Sequence, residues 1–313
     1  MNTVYFNSHV NDQRRRQLLF DGQLFVFSRT KSSAALCDFA REMIEEAFGP
    51  LDPRTAQYSL PVDEFVKIAG PLKPRFIHHP TSKKLLVEIL AEFGCDLEET
   101  YFDVPKLRVV THGGYLTSGV GYALHPHRDT WYSSSFSQVH WWLPIYDIES
   151  ESSLAFHPRY WNQPVRNDSS GFNYYDWNRE RKTAATLVKE DKRFQPHSED
   201  PIELDPQLRF VCETGGVVMF SAAHLHSTVP NTSGLTRFSI DFRTVHVGDL
   251  ASRCGAPNID SSPSGTNLRD FMRCTDYSSL PAQVIGQYEN PDAIQGREDN
   301  LVFRPAEPQQ LIA

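Results

Sequence analysis

Apolar positions in this chain follow two regimes: helical spacing near the start, then short strand-like runs. In residues 32–48, SSAALCDFAREMIEEAF, the residues Leu36, Phe39, Ala40, Met43, Ile44 and Phe48 recur at helical intervals, and Gly49-Pro50 stops the run. Residues 81–93, TSKKLLVEILAEF, repeat the pattern, with Ser82 as the expected N-cap and Gly94 as the stop. From residue 106 onward the runs become β-like, at 106–111, 139–147, 153–157, 208–212, 216–220 and 236–247, separated by Gly, Pro, Asn and Ser clusters. Helices first and strands afterwards argue against alternating βαβ units. The order predicts a mainly β fold with flanking helices: a double-stranded β-helix (jelly-roll) core with the N-terminal helices packed on one face.

No repeat or linker divides the chain, so the expectation is a single domain over 1–313. Its helical part runs to about 105, its core over 106–250 and a C-terminal extension over 251–313. Residues 158–207 form a polar, irregular insert, longer than an ordinary connection in a compact domain. All five tryptophans (131, 141, 142, 161, 177) fall between residues 131 and 177, joined by Tyr132, Tyr160, Tyr174 and Tyr175. A disordered insert would not normally carry such aromatics. The segment therefore reads as an ordered lid over a pocket, with packing on the sheet's outer surface as the alternative.

Composition narrows the classes. Of the 313 residues, 40% are hydrophobic and 22% charged, as in ordinary soluble globular proteins. A formal charge of −8 speaks against a grip on nucleic acid, and the isolated run Arg14-Arg15-Arg16 reads as a solvated face. There is no apolar leader and no stretch near the roughly 18 apolar residues of a membrane helix. Five scattered cysteines, never in CxxC spacing, fit reduced thiols. The expectation is a cytoplasmic protein with no nucleic-acid or membrane partner, its oligomeric state unreadable.

The candidate chemistry begins at YALHPHRDTWY (122–132), where His127-Arg128-Asp129 is a His-x-Asp pair just ahead of a predicted strand. Along an extended chain, residues two apart point the same way, so an imidazole and a carboxylate can reach one ion. Alone, such a pair is most often a hydrogen-bonded loop. Downstream, GGVVMFSAAHLHSTVPNTSGLTRFSIDFR (215–243) leads an apolar strand into His224-Leu225-His226. The next strand alternates strictly: Phe238, Ile240 and Phe242 on one side, Arg237, Ser239, Asp241 and Arg243 on the other. With helices covering the apolar side, the polar side must line an interior that holds something charged, and a dicarboxylate would meet that need. Two histidines and a carboxylate on one face of a metal leave three coordination positions open, the arrangement of iron(II) oxygenases.

The order His-x-Asp, distal His, then Arg-x-Ser resembles the iron(II)/2-oxoglutarate-dependent dioxygenases, in particular their phytanoyl-CoA hydroxylase-like branch. The matching residues are Gly216, His226, Ser227, Asn231 and Arg237, the arginine 11 positions past the histidine (237 − 226). Two places depart from the pattern: His157-Pro158-Arg159-Tyr160 stands where a Pro-Gly-Ser-His turn is usual, and 158–207 matches nothing in the family. The resemblance implies iron(II) on His127, Asp129 and His226, with 2-oxoglutarate and oxygen as cosubstrates and Arg237 and Ser239 on the far carboxylate. It further implies oxidation of an unactivated C–H bond of a small-molecule metabolite, with release of succinate and carbon dioxide. A carboxylate at Asp129 favours hydroxylation, desaturation or ring closure over halogenation. Candidate substrate contacts are Trp131, Tyr132, Trp142, Asn231, Trp161 and Trp177. His224 stands as an alternative ligand to His226, and Arg243 as an alternative clamp to Arg237. A catalytically inactive jelly-roll binding module and a zinc-dependent hydrolase on the same ligands are the rival readings.

Overall fold

The computed structural model describes residues 3–118, 125–181 and 193–303. Its N-terminal third is helical. Helix α1 spans Asp12–Phe20, α2 Lys31–Phe48, α3 Val62–His78 and α4 Pro80–Glu92. The start of α2 is fixed by a capping box in which Thr30 and Ser33 satisfy each other's backbone N–H groups. Its buried stripe, Leu36, Cys37, Ala40, Met43, Ile44 and Phe48, follows the expected spacing, while Phe39 is half-buried against Phe76 and His79. The cap of α4 is not Ser82, which is buried inside the helix; His79 accepts from the Thr81 N–H at 3.1 Å. Gly94 ends that region with a positive φ of 71°, as expected of a stop. The basic run is only partly solvated. Arg14 is exposed, but Arg15 is buried on Asp12 at 2.6 Å, and Arg16 reaches Asp249 at 2.6 Å.

Two sheets follow. The larger contains β1 (Val4–Phe6), β2 (Leu24–Phe27), β3 (Thr100–Phe102), β4 (Lys106–Val110), β5 (Val139–Pro144), β8 (Val217–Ser221), β10 (Arg237–His246) and β11 (Met272–Arg273). Its order is β1-β2-β8-β5-β10-β3-β11, with β4 also paired to β10; β1 and β2 are parallel and the other pairs antiparallel. The smaller sheet is β7 (Leu208–Arg209), β6 (Leu154–Phe156) and β9 (His226–Thr228), in that order. The result is a mixed large sheet with flanking helices, compatible with a jelly-roll-like core. Four of its strands, β1, β2, β3 and β11, lie outside the predicted β-runs, and predicted run 208–212 shrinks to two residues. Helices are not confined to the first third either: α5 (Tyr174–Glu180), α6 (Val247–Ser252), α7 (Ala282–Ile285) and α8 (Pro291–Ile294) follow.

Strand alternation gives the large sheet two chemically different faces. Phe238, Ile240, Phe242, Leu107, Val109, Trp141 and Met219 pack against α2, α3 and α4 in one apolar core with Leu36, Phe65, Phe76 and Leu86. Burying each large apolar side chain there contributes about 1.5–3 kcal/mol. The opposite face carries Arg237, Ser239, Asp241 and Arg243 from β10, Lys106 and Arg108 from β4, and His140 and Trp142 from β5. Between the sheets Phe156, Phe220, Trp142, Leu24, Val26 and Val218 form a second apolar layer.

The segment 251–303 is woven into this body. Leu268, Phe271, Leu280, Val284 and Ile285 pack on Tyr101, Val245 and Leu250. Cys37, Cys212 and Cys274 are buried, Cys95 is half-buried and Cys254 exposed, all as free thiols. Among the described residues no helix is long and apolar enough to cross a membrane.

Candidate metal centre

His127 lies in a single antiparallel bridge with His226, each residue's N–H donating to the other's carbonyl at 3.0 Å. This backbone pairing brings together two side chains 99 positions apart (226 − 127). Beyond His127 the chain does not enter a strand, as the spacing suggested, but a 3-10 turn over Asp129–Tyr132. Among the described residues, His127, Asp129 and His226 form a fully buried group whose ligand atoms all lie within 4.8 Å of one another.

Each imidazole is oriented by its own backbone. His127 Nδ1 donates to the His125 carbonyl at 2.7 Å, and His226 Nδ1 to the His224 carbonyl at 3.0 Å. That tautomer leaves both Nε2 lone pairs free, the form a metal requires. Burial and the neighbouring His127 push the His226 pKa well below its ordinary value, which keeps the ring neutral. Burial alone would raise the Asp129 carboxyl, but His140, His127 and Arg243 outweigh it and hold it well below the usual carboxylate range. The donor set is two imidazole Nε2 atoms and one carboxylate oxygen.

The middle residue of the motif points the other way. Arg128 Nε meets Asp260 at 3.0 Å, and its Nη groups donate to the carbonyls of Ala223 at 2.5 Å, Tyr160 at 2.6 Å and Gln163 at 3.3 Å. Asp260 also accepts from Trp131 Nε1 at 2.9 Å.

On the inner face of β10, Arg237 is 5% exposed and, among the described residues, has no carboxylate within ion-pair distance. It donates to the carbonyls of Ser152 at 2.8 Å and Ser153 at 3.3 Å, and its guanidinium lies 5.6 Å from the Trp142 ring centre. Burial, then Arg108, lower its pKa to about 10. Among the described residues, its Nε and the Ser239 hydroxyl are buried without a hydrogen-bond partner. Leaving such donors unmet costs about 1–3 kcal/mol each. Arg243, the alternative clamp, is already engaged by Asp103 at 2.9 Å.

The remaining candidates separate. Tyr132 sets its ring edge-on to His127 at 5.4 Å and touches Phe172 and Trp177, at 5.3 and 6.2 Å, so Tyr132 lies beside the ligand group and Trp177 one ring further out. Trp142 faces the same interior through Arg237. Three others are placed elsewhere. Trp131 is fully buried among Tyr160, Val165 and Leu225. Asn231 spends its amide on the carbonyls of Val110 and Leu235 and on Ser233, which shapes the turn into β10. Trp161 packs on His224 at 4.5 Å and closes over Gly22. His224 itself does not share a side with His226: the chain turns over 221–224, with the His224 N–H donating to the Ser221 carbonyl at 3.0 Å, so strand alternation fails there. Burial and Arg128 lower the His224 pKa to about 3.

A further residue of the site, His140, lies outside the motifs read from the sequence. Its Nδ1 donates to Asp129 Oδ2 at 2.7 Å, and its ring lies flat on Phe220 with centres 4.5 Å apart. The available signal was its place on β5 beside the polar stripe of β10. Of the insert, residues 182–192 lie outside the described ones. Tyr160, Trp161, Phe172, Tyr174 and Tyr175 are buried in the rest.

No protein-family model matches the chain, and no curated protein matches it in sequence. Solved structures do overlap with it. EvdO2 from Micromonospora carbonacea var. aurantiaca complexed with 2-oxoglutarate is 12% identical, over 76% of this chain and 91% of that one, with a TM-score of 0.43. Another EvdO2 structure is spanned over 62% of its length, with a TM-score of 0.35. The epimerase SnoN in complex with Fe3+, alpha ketoglutarate and nogalamycin RO is 13% identical, over 75% and 85%, with a TM-score of 0.36. Overlap this loose fixes neither activity nor substrate.

Proposed function

We propose that this chain is an iron(II)- and 2-oxoglutarate-dependent oxygenase that oxidises an unactivated C–H bond of a small-molecule metabolite. Hydroxylation is the favoured outcome, with desaturation or ring closure as variants, on a jelly-roll core of the phytanoyl-CoA hydroxylase-like kind. The observation that carries the proposal is the buried His127, Asp129 and His226 group, with ligand atoms within 4.8 Å and both Nε2 atoms freed by backbone acceptors. Three ligands on one face suit a metal that must also take a two-point cosubstrate and oxygen.

Bound iron would supply oxygen activation coupled to decarboxylation of 2-oxoglutarate to succinate and carbon dioxide. The protein's own share is geometric and electrostatic. Arg237 and Ser239, buried with unmet donors on the inner face, suit the far carboxylate of that cosubstrate through a charge-assisted fork. Phe156 and Phe220 flank His226 at 6.0 and 4.8 Å and exclude water from the ligands. Tyr132 and Trp177 offer an aromatic wall to a small substrate.

Anaerobic titration tests this. One iron(II) should bind per chain and, with 2-oxoglutarate, give a weak visible charge-transfer band, and air should then release succinate. A chain that takes up iron but shows neither band nor succinate would sink the proposal.

A further inference from the structure

We propose that His140 is a positioning residue that holds Asp129 to metal binding through one oxygen. The inference rests on the iron-centre reading above and concerns how that site keeps its open half open.

Asp129 sits on a 3-10 turn, not on a strand. The terminal torsion of an aspartate is broad, so a free carboxylate beside a cation can swing to present both oxygens. Here the two oxygens have different neighbours. Oδ1 faces His127 Nε2 at 3.5 Å, on the side where the three ligand atoms converge. Oδ2 accepts from His140 Nδ1 at 2.7 Å. Arg243 Nε, at 3.9 Å from Oδ2, is beyond hydrogen-bond reach.

His140 is itself held by the two strands that flank β5. Its ring stacks on Phe220 of β8, with planes 11° apart. Its Nε2 faces Asp241 Oδ2 of β10 at 3.5 Å. Asp241 is in turn gripped by Arg108 of β4, with Nη2 at 3.2 Å. His140 and Arg243 are direct cross-strand partners, so ring and carboxylates keep a fixed register. The chain Asp129–His140–Asp241–Arg108 thus ties the one ligand on a turn to three strand positions, on β5, β10 and β4. A second carboxylate oxygen on the metal would use a position that a two-point cosubstrate needs, and the His140 donor prevents this.

Cobalt(II) is a suitable probe, because its visible bands weaken as coordination number rises. Binding by calorimetry and the visible spectrum would be recorded without cosubstrate for the wild type, His140→Ala, His140→Asn and Asp241→Asn. Removal of a hydrogen-bond partner of a ligand costs about 10–100-fold in metal affinity. His140→Ala should lose affinity on that scale and show weaker bands. His140→Asn, whose amide N–H takes the place of Nδ1–H, should recover most of both. Asp241→Asn should shift both in the same direction by less. Wild-type affinity and spectrum in His140→Ala would overturn the inference while leaving the metal site standing. Equal losses in the Ala and Asn variants, tracking only their melting temperatures, would also overturn it. Failure of the wild type to bind cobalt, or undiminished binding by His127→Ala, would instead overturn the iron-centre reading.

Discussion

His224 and His226 stand two positions apart, yet one ring joins the buried ligand group and the other packs on Trp161. Sequence spacing could not separate them, because alternation holds only where the chain is extended, and the chain turns over 221–224. The expected consequence is sharp. His127→Ala, Asp129→Ala or His226→Ala should each abolish the anaerobic iron/2-oxoglutarate absorption band. His224→Ala should keep the band while lowering the melting temperature, since it opens a void beside Trp161. The reverse pattern would exchange their roles. Arg237 makes a second test at this scale. Arg237→Ala should raise the 2-oxoglutarate concentration for half-maximal succinate release by about 100-fold, as loss of a buried charge-assisted partner costs about 2–5 kcal/mol. Arg237→Lys should recover only part, because an ammonium cannot reproduce the fork. An unchanged requirement in Arg237→Ala would move the clamp elsewhere on β10.

Among the elements, β10 was the most legible, because its period-two pattern separates a helix-packed apolar side from a polar side so cleanly. Helix α3 was not, since Pro71 and Pro74 lie inside it and read locally as breaks. Burial of Phe65, Ala69, Leu72 and Phe76 against the sheet overrides that local preference. Strands β1 and β2 carry little signal because β1 has only three residues, all apolar, and Leu24–Phe27 is an apolar run buried on both sides. The short link between α1 and β2 carries a further constraint. Gly22 has φ of 85°, and a Cβ there would come within 2.5 Å of the Trp161 ring. Gly22→Ala should therefore cost roughly 2–4 kcal/mol, combining left-handed strain with overpacking. Denaturant unfolding would measure it, and adding Trp161→Ala should relieve the steric part. Equal stability of Gly22→Ala and wild type would show that the indole moves aside freely.

At the scale of the whole molecule, the aromatic insert is strapped down by the far end of the chain. Arg297 pairs with Asp176 at 2.8 Å, Asn178 donates to the Asn300 carbonyl at 2.9 Å, and Tyr175 donates to Glu289 at 3.1 Å. Arg181 lies over the Phe303 ring at 3.4 Å. A chain ending at residue 288 should be cut faster by protease within 172–181 and should form succinate in excess of oxidised product. Unchanged cleavage and a succinate-to-product ratio near one would mean that the strap does nothing for the insert. Arg128 extends the same dependence to the loop that carries His127 and Asp129. Its buried charge is met by Asp260 and by the carbonyls of Tyr160, Gln163 and Ala223, which come from three distant stretches of sequence. During synthesis, His127, Asp129 and His226 all emerge before residue 260 does. A nascent chain can thus display every candidate ligand while the residue between two of them still lacks its counter-ion, so the loop that carries His127 and Asp129 is locked only after residue 260 has joined the fold.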